Sequence, residues 1–230
     1  MDGNGRWAEG RGLPRAAGHR AGTENIRSAV RFLGERGVRY VTLFAFSTEN
    51  WDRPAAEVQA LLRILARVID RETRTFHRHG VRLQLLGRAD RLSETLQRKV
   101  EQAIELTKGN SRLTLSIAFD YGGRAEMVEA VRRIIQDGVP PQDVDESLLS
   151  SYLYTASLPD PDLIIRTAGE MRLSNFLLWQ SAYSEYYSTP TFWPDFGEEE
   201  IEKALAAYAQ RQRRFGRLET AQEAEPRRRG

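Results

Sequence analysis

Strand-sized apolar runs alternate with helical periods along most of this chain, and that alternation constrains the fold more than any other feature. From Thr23 the residues Ile26, Ala29, Val30 and Leu33 fall at i, i+3, i+4 and i+7, one face of a helix that Gly37 stops. Val38 to Phe46, rich in β-branched and aromatic residues, reads as a strand, followed by polar Ser47 to Arg53 and by Pro54 at the start of the next helix. That helix carries Val58, Leu61, Leu62, Leu65 and Ile69, with Ile64 and Val68 widening the stripe, and it reaches His79 before Gly80 ends it. Val81 to Leu86 is again a strand, Ser93 caps a helix to about Lys108, and Leu113 to Phe119 is a third strand. A helix from Arg124 to Gln136, a short helix near Ser147 to Tyr154, a strand at Leu163 to Ile165 and a last helix from Glu198 to about Arg214 complete the pattern. The expected fold is α/β, a mostly parallel central sheet flanked by helices on both faces.

In such a sheet the strands point one way, so ligands collect at the carboxyl edge and the segments after each strand matter most. Those segments are "STENWDRP", "DYGGR" and "RTAGEMRLSN", all rich in hydroxyls, amides, acids and arginines. The opening "MDGNGR" has the same character and joins them if it too follows a strand. Gly3 and Gly5 let backbone N–H groups approach an anion, and Arg6, Arg15, Arg53, Arg166 and Arg172 can grip phosphate oxygens in pairs. Five arginines suffice for two diphosphates.

Other chemistries are excluded or weakened. The chain has no cysteine, which removes disulfides, thiolate metal sites and cysteine nucleophiles. No GxxxxGK[ST], no GxGxxG opening a helix after a strand and no GxSxG occurs, and there is no aspartate-rich cluster for several metal ions. A metal site is therefore sparse, with Asp2 the best single ligand and diphosphate oxygens completing it. The net charge of +2 is spread along the chain, which argues against a nucleic-acid partner. Of the three histidines, His77 and His79 sit near a helix end and read as solvent-facing, while His19 precedes a helix and stands open between a structural and a phosphate-binding role. No apolar leader is present at the start, which makes a cytoplasmic protein the expectation. Glu219 to Gly230 lacks apolar periodicity and reads as a disordered tail.

"MDGNGRWA", "RAAGHRAG", "LFAFSTENWDRP", "RTAGEMRLSNFLLWQSAYSEYY" and "FWPDF", in this order, resemble the cis-prenyltransferases. The resemblance runs from Met1 to Gly216, giving one catalytic domain at 1–216 and a tail at 217–230. It implies successive cis-condensation of isopentenyl diphosphate onto an allylic diphosphate such as farnesyl diphosphate, Mg2+, a homodimer, a hydrophobic tunnel, and contact with a membrane surface for release of a lipid that carries cell-wall precursors. It also implies roles. Asp2 would be catalytic and bind the metal, with Glu185 a second metal residue. Gly3, Asn4, Gly5, Arg6, Trp7, Arg15 and His19 would hold the allylic diphosphate. Asn50 would act at proton removal, and because an amide is a poor base it would position the proton for a diphosphate oxygen. Ser47, Thr48, Glu49, Trp51 and Arg53 would line the cleft, Arg166, Arg172 and Ser174 would hold isopentenyl diphosphate, and Ala45 and Leu61 would touch the tunnel.

Two departures stand out. Ala168 and Met171 occupy positions where the resembled proteins carry glycine or serine and histidine or glutamine. The apolar strand that runs into the aspartate in those proteins is also missing, so the expectation is a sheet lacking an inner strand, Asp2 without a rigid base, and a native chain that begins upstream of Met1. A non-catalytic partner subunit is the alternative reading, disfavoured because Asp2, Arg6, Asn50, Arg166 and Arg172 are all kept. A nucleotide-binding α/β protein is disfavoured by the missing phosphate loops.

Overall fold

The computed structural model describes residues 1–210, in which parallel strands alternate with helices as the periodicity requires. Strands β1 (Tyr40–Ser47), β2 (Val81–Gly87) and β3 (Leu113–Tyr121) form a parallel sheet in the order β1-β3-β2. Strands β4 (Leu163–Arg166) and β5 (Glu185–Ser188) form a second parallel pair. Around them pack helices α1 (Asn4–Glu9), α2 (Arg15–Glu35), α3 (Ala55–Arg78), α4 (Glu94–Thr107), α5 (Gly123–Gln136), α6 (Glu146–Tyr152) and α7 (Glu198–Ala209).

Alternation of side chains divides the core. Val41 and Leu43 of β1 and Leu113 and Leu115 of β3 pack with Ala29, Val30, Phe76, Trp193, Phe196 and Ile201. Leu86, Ala118 and Tyr121 meet Leu177 in a separate cluster. β1 pairs Phe44 with Ala118 but Phe46 with Phe119, so Ala45 is an extra residue in the ladder. That irregularity turns Ala45 out of the core and toward the open cavities beside β1.

The structure corrects the sequence reading in four places. The sheet is in two pieces: no ladder joins β1 to β4 among the described residues, and both strands line a cleft of about 1570 Å³. "DGNGR" is not all loop, because Gly3 at φ 95 starts α1. α2 begins at Arg15 behind Pro14, eight residues before the expected Thr23, and it contains "RAAGHRAG". Its glycines mark a contact rather than a loop: a Cβ on Gly18 would stand 1.8 Å from the Asn4 carbonyl oxygen, and one on Gly22 2.2 Å from Asn4 Oδ1. Finally, β5 lies in a segment the periodicity left unassigned. The last turns expected for α7 and the tail lie outside the described residues.

Candidate active site

Asp2 is held by its backbone. Its N–H donates to Thr167 Oγ1 at 2.8 Å, the Thr167 hydroxyl donates to the Asp2 carbonyl at 3.0 Å, and the Trp193 N–H donates to the same carbonyl at 2.9 Å. This corrects the expectation of an unsupported aspartate: the residue after β4 takes the place of a strand. The side chain is left to interact outward, 42% exposed, with Arg166 Nε donating to Oδ2 at 2.8 Å.

Arg166, only 17% exposed, ends β4 and also donates through Nη1 to Ser174 Oγ at 3.0 Å. Beside it Glu170 accepts from Arg6 Nη2 at 3.1 Å and from Arg172 Nη1. Three of the five expected arginines thus meet two carboxylates at one lip of the cleft. An incoming diphosphate, with more charge and more acceptor oxygens than a carboxylate, can take over these guanidinium groups. Arg15 lies over the glycine of α1, where a Cβ on Gly5 would meet its Cζ at 2.7 Å, and it donates to Glu9 at 2.6 Å. Arg53 also lines the cleft and donates to Glu57 at 3.0 Å.

After β1 the chain makes a tight turn at Thr48–Asp52 with a capping box: the Ser47 N–H donates to Asn50 Oδ1 at 3.1 Å. That bond occupies the amide oxygen, so the end of Asn50 left for a ligand is its NH2, a donor. Glu49 accepts from Asn175 Nδ2 at 2.9 Å. Burial opposes its charge, but bonds from its own backbone, Asn175, Ser47 and Thr48 outweigh burial and hold the carboxyl below its ordinary range.

Asn175 joins the three loops. Besides Glu49 it binds the Arg124 N–H through Oδ1 at 2.9 Å, and its carbonyl accepts from the Gly123 N–H at 2.7 Å. Ser174, Asn175 and Leu177 all have left-handed backbone, at φ 50, 65 and 43, a concentration of strain that packing must hold. Beneath the loop the buried Glu126 accepts from Tyr121 Oη at 2.5 Å, Gln180 Nε2 at 3.1 Å and the Tyr154 N–H at 2.8 Å. Sequence reasoning passed over Thr167, Glu170 and Asn175 as site residues. The available signal for Asn175 was an asparagine where the chain turns sharply, since asparagine tolerates left-handed backbone. Ala168 is also left-handed, at φ 69, a backbone conformation that favours glycine. Ala168→Gly is expected to stabilise the protein by about 0.5–1 kcal/mol in chemical denaturation.

Not every expected residue reaches the cleft. Trp7 Nε1 donates to Asp195 Oδ1 at 2.8 Å and so ties α1 to the turn at Trp193–Asp195. Trp51 donates to Asp120 at 2.8 Å and stands edge-on to Phe46, packing its loop. Thr48 Oγ1 donates to Glu49 rather than facing the cleft. Glu185 opens β5 opposite Leu163, whereas Arg166 pairs with Ser188, so three residues of strand, about 10 Å, separate it from the Asp2 end. Among the described residues no three acidic or histidine groups cluster as a metal site. The donor set fits a magnesium ion that a single carboxylate holds together with diphosphate oxygens.

Behind the polar lip lies an apolar cavity of about 180 Å³ between α2, α3 and the sheet, lined by Ile26, Ala45, Leu61, Leu65, Val68 and Phe76 among others. Asn4 and His19 border both spaces, and Asn4 Oδ1 and His19 Nε2 are buried without partners. Burial lowers the His19 pKa from 6.5, and Arg53 and Arg15 lower it further against an opposing Glu57. A histidine kept neutral in the fold adds stability that is complete above 6.5 and is lost as pH falls through 6.5 toward the lower folded value. His19→Gln is therefore expected to flatten the fall in melting temperature between about pH 7 and pH 5; an unchanged slope would contradict the assignment.

Comparison with known proteins agrees with this geometry. A family model described as "Putative undecaprenyl diphosphate synthase" matches residues 1–216. Isoprenyl transferase of Heliobacterium mobile is 53% identical over 94% of this chain and 85% of its own. The ditrans,polycis-undecaprenyl-diphosphate synthase of Escherichia coli, specific for (2E,6E)-farnesyl diphosphate, is 47% identical over 97% and 90%. Lavandulyl diphosphate synthase from Lavandula x intermedia, crystallised with dimethylallyl diphosphate, superposes with a TM-score of 0.91 at 36% identity, over 94% of this chain and 95% of that one. Half-identity to catalytic relatives over nearly the whole chain, on the same α/β fold and with the arginine-lined cleft in place, shows that this protein belongs to the cis-prenyltransferases, enzymes that build polyprenyl diphosphates by cis-condensation.

Proposed function

We propose that the protein condenses isopentenyl diphosphate repeatedly onto an allylic diphosphate of farnesyl size, giving a long-chain lipid diphosphate that serves as a cell-wall carrier precursor. The observation that carries this reading is the junction of two unlike spaces: an arginine-rich lip opens onto an apolar cavity, with Asn4 and His19 on the border. An amphiphile with a diphosphate head and an isoprenyl tail matches both.

In this reading Gly3 to Arg6, Arg15 and His19 receive the allylic diphosphate, and Arg166, Arg172 and Ser174 receive the diphosphate of isopentenyl diphosphate. A magnesium ion held by Asp2 and diphosphate oxygens would supply charge neutralisation of the leaving group. For each addition one carbon–oxygen bond to diphosphate breaks, one carbon–carbon bond forms, and the condensing substrate loses one proton. Asn50 orients that substrate through its free NH2, and a diphosphate oxygen accepts the proton, since the Asn50 oxygen is already bonded to the Ser47 N–H.

A homodimer is part of the proposal. Val128, Val131 and Ile135 of α5 stand at i, i+3 and i+7 and are 52%, 46% and 70% exposed, an apolar stripe that a second copy would cover. The reading is tested by incubating the protein with farnesyl diphosphate, labelled isopentenyl diphosphate and magnesium and then sizing the lipid products. Ladders of increasing chain length are expected, and absence of incorporation by folded protein would defeat it. Contact with a membrane for release of such a product is also proposed, and the helices around the cavity bear on where it occurs.

A further inference from the structure

α3 carries five arginines, Arg63, Arg67, Arg71, Arg74 and Arg78, all exposed. At 3.6 residues per turn they fall within an arc of about 80° and extend over about 22 Å of helix. The acidic residues of this stretch leave all of the arc but Arg71 without an ion-pair partner among the described residues. Glu72 is buried, 3% exposed, beneath Arg27 and Arg71, and Asp70 on the flank is bound by Lys99 of α4. Arg63, Arg67 and Arg74 have no carboxylate partner among the described residues.

α2 continues this surface. Arg20, Arg27 and Arg31 are exposed within about 40° of one another, with Arg20 also unpartnered among the described residues. Arg27 donates to Glu72 at 2.7 and 2.8 Å and Arg71 lies 4.0 Å from Glu24, so the two basic faces adjoin. Between them lies the apolar cavity. Ile26 of α2 and Ile64 and Val68 of α3 line it, and the last two follow the arginine arc in angle and are only half-buried.

We propose that the outer faces of α2 and α3 form a docking surface for an anionic lipid bilayer, which brings the seam between these helices, and the cavity behind it, against the membrane. Guanidinium groups would bind lipid phosphates on both sides of the seam while the apolar residues between them face the acyl region. The contact is peripheral, since no described helix is long and apolar enough to cross a membrane. A bilayer is favoured over nucleic acid because the exposed arc of α3 carries no aromatic residue on which a base could stack. The inference rests on the polyprenyl-transfer reading for the identity of the cargo alone.

The test is flotation of the substrate-free protein with phosphatidylcholine vesicles that contain either no anionic lipid or about 30 mol% phosphatidylglycerol. Wild type should float with the anionic vesicles at about 0.05 M salt and be released by about 0.5 M. Arg63→Gln/Arg67→Gln/Arg74→Gln should bind about a hundred-fold more weakly with an unchanged melting temperature and unchanged condensation of soluble substrates. Arg132→Gln/Arg133→Gln on α5 should bind as wild type. Undiminished flotation of the triple variant, equal binding to neutral vesicles, or retention on single-stranded RNA without vesicle binding would overturn the proposal. Failure of docking with condensation intact removes this surface alone. Failure of condensation with docking intact instead removes the transfer reading.

Discussion

Asp2→Ala is expected to lower kcat for condensation by about 10²- to 10³-fold or more while the melting temperature shifts by only a few degrees. The two effects separate because Asp2 contributes to fold and site through different atoms. Its N–H and carbonyl make the bonds to Thr167 and Trp193, and alanine keeps them. The side chain's hydrogen-bond partner is Arg166, which in the variant becomes a freed guanidinium at the lip of the cleft. The KM for isopentenyl diphosphate should therefore stay level or fall, because an arginine without its carboxylate binds anions at least as well. A loss confined to KM would mean that Asp2 organises binding rather than reaction. Asp2→Asn refines the test: it preserves shape and removes charge, so activity near wild type would exclude a metal-holding carboxylate at this position.

The central pattern of the fold was legible because it depends on local periodicity. The Val38 to Phe46, Val81 to Leu86 and Leu113 to Phe119 runs became β1, β2 and β3, neighbours in one parallel sheet in the order β1-β3-β2, with ends shifted by at most two residues. What escaped depends on partners distant in sequence. The early start of α2 could not be read from propensity, since Gly18 and Gly22 look like loop residues until Asn4 is seated on them. β5 has only four residues, and its pairing with β4 bridges a separation of about twenty, so no local period announces it. Within the site, Arg6, Arg166 and Arg172 meet as their residue types suggest, but the carboxylate that joins two of them, Glu170, had no local signal. Tryptophans mislead for a related reason. Trp7 and Trp51 sit inside the motifs, yet their indole N–H groups are spent on Asp195 and Asp120, and they hold loops in place.

Gly18→Ala should destabilise the protein by about 3 kcal/mol, lowering the melting temperature by roughly 6–12 °C, although alanine is the better helix former. The added methyl would lie 1.8 Å from the Asn4 carbonyl oxygen and 2.7 Å from its carbon, and backbone cannot rotate away as a side-chain tip can. Relief requires α1 to lift off α2, and α1 carries Asn4, Gly5 and Arg6. A displacement near 1 Å at these groups is enough to cost about 10²-fold in rate, so activity should fall even below the new melting temperature. Gly34→Ala on the same helix supplies the opposite sign: its methyl meets only Leu113 Cδ1, at 3.4 Å, leaving the gain in helix propensity of about 0.8–1.0 kcal/mol largely intact. Thermal melts of both variants, read beside initial condensation rates, separate close packing from propensity. If Gly18→Ala matched wild type in both measurements, α1 would not be seated in the glycine groove, and the rigid placement of the diphosphate loop would need another cause.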